Sequence, residues 1–373
     1  MIYLDYNATT PIDPRVADAM MPYITDEYGN PSSSHTIGVR AKDAVEESRS
    51  KVAALLGCKT EEIVFTSGGS ESNNYIIKGV AHTFKKKGNH IINSQIEHPS
   101  VLNPCRFLES QGYRVSYAPV NSFGMVSSED IEKLITDDTI LVTIMHANNE
   151  TGTIQPIEKI SEICNKHGIL LHTDAAQSIG KIPVKVEDLS VDFLTLAGHK
   201  LYAPKGIGAA YIRKGIEIEP LIHGAGHESG RRAGTENVVF EAGLGKACEI
   251  AEEELKNDRI RNLTRYFYEQ LLNKFKGIIS LNGHPTERLP NTLNIGFMGY
   301  EGHELLDKLN GVAASTGSAC HSGMTTISPV LKAMGTEEKA ARGAVRFSLG
   351  RFTTKDEIDE TVEKLSGIIL NKR

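Results

Sequence analysis

Val191-Asp192-Phe193-Leu194-Thr195-Leu196-Ala197-Gly198-His199-Lys200 is an apolar run that stops on a small residue, a glycine, a histidine and a lysine. The run reads as a buried strand, so the lysine stands at a strand end. Desolvation there lowers the pKa of an amine and frees it for Schiff-base chemistry. Taken alone, Lys200 is an ordinary loop lysine; its neighbours change that reading.

Working outward, short apolar segments alternate with amphipathic helical patterns from Asp13 to Arg213. Strands are expected at 62–66, 90–93, 114–117, 139–144, 169–172, 193–196 and 209–212, and helices at 40–56, 71–86, 101–110, 129–135 and 157–167. This rhythm implies an α/β fold with a mostly parallel seven-stranded sheet between helices. A glycine-rich connector, residues 221–235, leads to a long helical pattern from Glu236 past Leu272, expected to bend. Beyond it, strands near 278–281, 292–295 and 344–348 and helices at 302–309, 328–334 and 354–369 predict a smaller α+β domain. The boundaries follow: 13–255 for the large domain, and 1–12 with 256–373 for the small one.

Ligands of such sheets gather beyond the carboxyl ends of the strands. Just past five strands stand Ser67-Gly68-Gly69-Ser70, Glu97-His98, Asn148-Asn149-Glu150, Asp174-Ala175-Ala176-Gln177 and His199-Lys200. One or two such coincidences mean little, but five bring complementary chemistry to one edge.

Composition narrows the classes of function. The formal charge of -6, with 40% hydrophobic and 24% charged residues, gives no electrostatic case for nucleic acid or an anionic membrane. A signal peptide and a membrane-spanning apolar segment are both expected to be absent. Five scattered cysteines, odd in number and without a C-x-x-C pair, argue against disulfides and a zinc cluster and for a reducing cytoplasmic setting.

A carbanion-stabilising cofactor such as pyridoxal 5'-phosphate makes demands that these residues meet. Lys200 would hold the aldehyde. Asp174 would pair with the ring nitrogen, although aspartate after a strand is as often a helix cap. Gly69 and Ser70 open a helix where backbone N–H groups and the dipole favour a phosphate, and capping by Ser70 is compatible with that role. His98 could stack on a ring and carry protons, or be structural. Asn149 and Gln177 could bind a ring oxygen or satisfy buried backbone. Cys320 lies in a run of small residues, 314–323, suited to a mobile thiol rather than a buried one. Arg351, after the strand at 344–348, could grip a substrate carboxylate or form a surface ion pair.

These residues together resemble a known family. Asp5-Tyr6-Asn7-Ala8-Thr9-Thr10-Pro11, Thr66-Ser67-Gly68-Gly69-Ser70-Glu71-Ser72-Asn73, Asn148-Asn149-Glu150-Thr151-Gly152, His172-Thr173-Asp174-Ala175-Ala176-Gln177 and Gly198-His199-Lys200 are similar to segments of the cysteine desulfurases of the class V aminotransferase group. Arg231 to Asn237, Gly317-Ser318-Ala319-Cys320 and Arg346 to Arg351 continue the match nearly end to end. The resemblance implies a pyridoxal-phosphate enzyme of fold type I and a homodimer. It implies that Lys200 is the Schiff-base lysine, that Asp174 pairs the ring nitrogen, that His98 stacks, and that Asn149 and Gln177 contact the ring. Gly69, Ser70 and His199 would hold the phosphate, with Thr235 added by the other subunit. Arg351 would bind the carboxylate of L-cysteine, and Cys320 would take its sulfur as a persulfide for an acceptor or scaffold protein. A resident metal is not implied, although Cys320 could touch an iron-sulfur cluster transiently.

Three departures stand out. Ala197 replaces a hydroxyl residue that touches the phosphate in many relatives, Ser70 replaces threonine, and His321 follows the cysteine. The first and last resemble selenocysteine lyases, which keeps L-selenocysteine as an alternative substrate. A non-catalytic sulfur-relay scaffold is a further alternative, disfavoured by the presence of Lys200 and Asp174.

Overall fold

Side chains alternate between the two faces of a strand, so a strand that is apolar at every position needs cover on both sides. A computed structural model, describing residues 1–316 and 327–370, shows how that cover is provided. After β1 (Ile2–Tyr3), seven strands form one sheet: β2 (Ile63–Thr66), β3 (His90–Ser94), β4 (Arg114–Ala118), β5 (Thr139–Thr143), β6 (Leu170–Asp174), β7 (Phe193–Ala197) and β8 (Gly208–Ile212). Their order is β2-β8-β7-β6-β5-β3-β4. β8 runs antiparallel to β2 and β7, and the remaining pairs are parallel.

The helices of this region are α1 (Pro14–Thr25), α2 (Thr36–Leu56), α3 (Gly69–Thr83), α4 (Pro99–Ser110), α5 (Ser128–Leu134), α6 (Ile157–His167), α7 (Val186–Leu189) and α8 (Val238–Glu254). Ile63, Phe65, Val142, Leu194 and Leu196 face a core shared with α2 and α8. Their neighbours Val64, Leu141 and Phe193 face the opposite core, built with Tyr75, Ile76 and Val80 of α3 and Val101 and Leu108 of α4. Burying one such side chain is worth about 1.5–3 kcal/mol, against strand propensity differences that span about 1 kcal/mol. The alternation of apolar residues therefore sets the layers.

The rest of the chain forms α9 (Arg259–Lys274), β9 (Ile279–Asn282), β10 (Thr292–Phe297), α10 (Gly302–Lys308), β11 (Val312–Ala313), α11 (Pro329–Ala333), α12 (Glu338–Arg342), β12 (Ala344–Ser348) and α13 (Lys355–Ile369). β9, β10 and β12 make an antiparallel sheet, and β1 pairs with β11 in parallel. A third core gathers Ile2 and Leu4 with Phe267, Phe275, Phe297, Phe347 and Leu365.

One feature differs from the sequence expectation. The helical pattern from Glu236 past Leu272 is two helices rather than one bent helix. Leu255 still packs on the α2 side, whereas Phe267 and Leu271 belong to the third core, and the Asn257 side chain accepts from Arg259 N at 2.9 Å to start the new helix. The N-terminal segment crosses from β1 to the sheet edge and ties to it through Thr10 N and His199 O at 3.0 Å.

Candidate active site

The carboxyl ends of the parallel strands open onto a cavity of about 730 Å³. Gly69, Ser70, His98, Asn149, Asp174, Gln177, Ala197, His199 and Lys200 all line it, joined by Asn7 and Arg346. β7 ends at Ala197, and a single tight turn, Gly198–Lys200, carries the lysine into the space. Lys200 Nζ donates to Asn7 O at 2.5 Å and Ala8 O at 2.7 Å. Burial, with Arg346 adding to it, pulls the amine down to about 8, against opposing attraction from Asp5 and Asp174. An amine so placed is a usable nucleophile near neutral pH.

A chain of hydrogen bonds fixes the opposite wall. Asp174 closes β6, and its Oδ2 accepts from Asn73 Nδ2 at 2.8 Å. Its Oδ1 accepts from Ala176 N at 3.0 Å, so the carboxylate caps a turn rather than a helix. The same Asn73 amide donates to Ser100 Oγ at 2.8 Å, and Ser100 Oγ lies 2.8 Å from His98 Nδ1. His98 caps α4, its Nδ1 accepting from Ser100 N at 3.1 Å. Since that nitrogen accepts, the proton of the neutral ring belongs on Nε2. Burial and then Lys200 lower the His98 pKa, with Asp174 opposing.

At the far end, α3 starts at Gly69 without a side-chain cap on Gly68, leaving first-turn N–H groups to an anion. Close approach is built in: a Cβ on Gly208 would meet Gly68 Cα at 2.7 Å and Leu196 O at 2.6 Å. His199 Nδ1 sits 3.1 Å from Thr9 Oγ1, and burial brings its pKa to about 4. Ala197 contributes a methyl group, 3.3 Å from where a Gly69 Cβ would stand.

The expected substrate arginine needs correction. Arg351 does not line this cavity; its guanidinium pairs with Asp13 and lies over the Tyr202 ring at 4.2 Å, in a neighbouring cavity. The buried Asp13 carboxylate holds that guanidinium at the neighbouring cavity. Arg346 is the guanidinium at the site, with Nη2 2.6 Å from Asp5 Oδ1, Nη1 3.1 Å from Asn149 O, and a buried Nε without a partner among the described residues. The signal for it was an arginine in mid-strand between Val345 and Phe347, a position too costly to fill without a polar reason. Asn73 and Asn7 were also missed as site residues, being amides inside quoted motifs with no chemistry of their own. Thr235 is exposed and lines an adjoining cavity with Ser67 and Gly206. Cys320 lies outside the described residues.

Pyridoxal phosphate fits what is present: an amine with a lowered pKa, a carboxylate held by an amide, and an uncapped helix start around one space of suitable size. Residues 2–361 match the family described as Aminotransferase class-V. The chain belongs to that family. "Cysteine desulfurase IscS" of Dictyoglomus turgidum is 47% identical over 372 residues, which is 99% of this chain and 94% of that one. The solved "NIFS-LIKE PROTEIN" superposes with a TM-score of 0.93 at 41% identity over 99% of both chains. "SspA in complex with cysteine" gives 0.85 at 39% identity, over 95% of this chain and 100% of that one. Within the class V group the chain is a cysteine desulfurase, a pyridoxal-phosphate enzyme of fold type I. Among the described residues no helix is long and apolar enough to cross a membrane, and no group of side chains is arranged to hold a metal ion.

Proposed function

We propose that the chain removes sulfur from L-cysteine, releases L-alanine, and holds the sulfur on Cys320 as a persulfide for an acceptor protein in iron-sulfur cluster or thio-cofactor assembly. Lys200 anchors the cofactor, Asp174 keeps its ring nitrogen protonated, and Gly69, Ser70 and His199 receive the phosphate, with Thr235 supplied by a second copy in a cytoplasmic homodimer. Bound there, the cofactor supplies an electron sink for bond changes at the substrate α-carbon. Arg346 takes the substrate carboxylate. The Lys200 amine moves the α-proton, and His98 carries a proton on Nε2. Asn149 and Gln177 orient the ring.

The observation that carries this reading is the meeting of Lys200, Asp174 and the open start of α3 in one cavity. The described thiols support the choice of Cys320. Burial pushes Cys58, Cys105 and Cys164 up to about 12 and Cys248 higher still, so none of them is a ready nucleophile. Cys320→Ala should abolish sulfide release in the presence of reductant while leaving the cofactor absorbance intact. Undiminished cysteine turnover by that variant refutes the persulfide step. Turnover of L-selenocysteine in place of L-cysteine would instead favour a lyase.

A further inference from the structure

Behind the Lys200 amine stands a second one. Lys181 follows β6 by a turn that Gly180 makes possible with φ +73°, where a Cβ would strike Leu201 Cδ1 at 2.2 Å. Its Nζ donates to Asn7 Oδ1 at 2.9 Å and to Gln177 Oε1 at 2.8 Å. The backbone oxygen of the same Asn7 accepts from Lys200 Nζ at 2.5 Å and from Gln177 Nε2 at 2.9 Å. Asn7 has no freedom to turn, because its Nδ2 donates to Asn149 O at 3.1 Å and Thr292 Oγ1 at 2.9 Å.

In its ammonium form Lys181 donates and does not accept, so both amide oxygens face it. Gln177 therefore presents its nitrogen on the other side. We propose that Lys181 is a positioning residue for the reaction, fixing the Gln177 amide nitrogen-first beside Lys200 and setting a second cationic group against the Lys200 amine. A ring oxygen of the cofactor, once ionised, would meet a donor there and not a carbonyl. The inference rests on the reading of Lys200 as the attachment point.

Hydrogen bonds from two amide oxygens favour the charge on Lys181, and burial opposes it. Burial lowers the Lys181 amine well below its usual range, and Lys200 and Arg346 add repulsion. Among the described residues its hydrogen-bond partners are neutral amides, with no carboxylate to offset the charge. Lys200 in turn faces Arg346, Asp5 and Asp174, and His98 lies across the same cavity.

The test is a spectrophotometric pH titration of the substrate-free holoenzyme, which reads the proton on the Lys200–cofactor linkage without turnover. Lys181→Met removes the cation and the donor, and the midpoint should rise by about one pH unit, a tenfold change in proton affinity. Lys181→Arg keeps both and should return the midpoint toward wild type. Should Lys181→Met not fold, Lys181→Gln, neutral but still a donor, carries the same expected rise. A folded neutral variant whose midpoint stays within about 0.2 units of wild type, with an unchanged visible spectrum, overturns the inference. Borohydride reduction of wild type separates the two failures: attachment at another lysine sinks the reading of Lys200, whereas attachment at Lys200 with an unmoved midpoint sinks the role of Lys181 alone.

Discussion

An amine drawn down to about 8 by burial is half deprotonated two to three pH units earlier than an exposed lysine. The neutral form is the one that attacks an aldehyde, so uptake of pyridoxal phosphate by the resolved enzyme should accelerate as pH rises through about 8 and then level off. A stopped-flow profile still climbing at pH 10 would contradict that assignment. The two arginines of one motif also make opposite predictions. Arg346→Gln loses a charge-assisted contact worth about 1.5–3 kcal/mol, so KM for cysteine should rise roughly 10- to 150-fold. Arg351→Gln should leave KM near wild type and lower thermal stability, since it leaves the buried Asp13 carboxylate with one fewer cation. Residue types and strand-end positions made it legible that Lys200, Asp174, Gly69, Ser70, His98 and Gln177 share one cavity. The choice between Arg346 and Arg351 was not legible, because it depends on Asp13, distant in sequence and adjacent in space.

At the scale of elements, the connector at 221–235 is pinned by a buried ion pair. Glu228, at φ +50°, receives Arg49 of α2 through both oxygens at 2.8 Å and also accepts Phe65 N from β2 at 2.8 Å. Breaking such a pair strands a buried charge at a cost of about 3–5 kcal/mol. Glu228→Gln should therefore shift the denaturation curve strongly, and an unchanged urea midpoint would show that the contact contributes nothing. Gly208→Ala tests the close approach of β8 to the start of α3. Its methyl must displace Gly68 or Leu196 O, so weaker cofactor retention on dialysis is expected. Short apolar runs alternating with helical patterns made the seven strands of the large sheet readable to within a residue or two. β1 and β11 escaped notice because two-residue strands carry no periodicity and hold together through long-range pairing.

For the whole molecule, the decisive arrangement is the return of the N-terminus to the cleft. Ile2 and Leu4 anchor in the core of residues 267–369. Three residues later Asn7 joins Lys200, Lys181 and Gln177 to Thr292 and, through its own N–H, to Ser348 Oγ at 2.9 Å. Lys200 and the C-terminal sheet thus share one hydrogen-bonded hub, which local sequence patterns could not disclose. With Lys181 and Lys205 so near Lys200 in the fold, the location of the covalent link is the sharpest test of the account. Borohydride reduction of the purified enzyme, followed by peptide mass mapping, should place the added pyridoxyl phosphate mass on Lys200 and on no other lysine; the mass on Lys181, on Lys205 or on no lysine at all would contradict it.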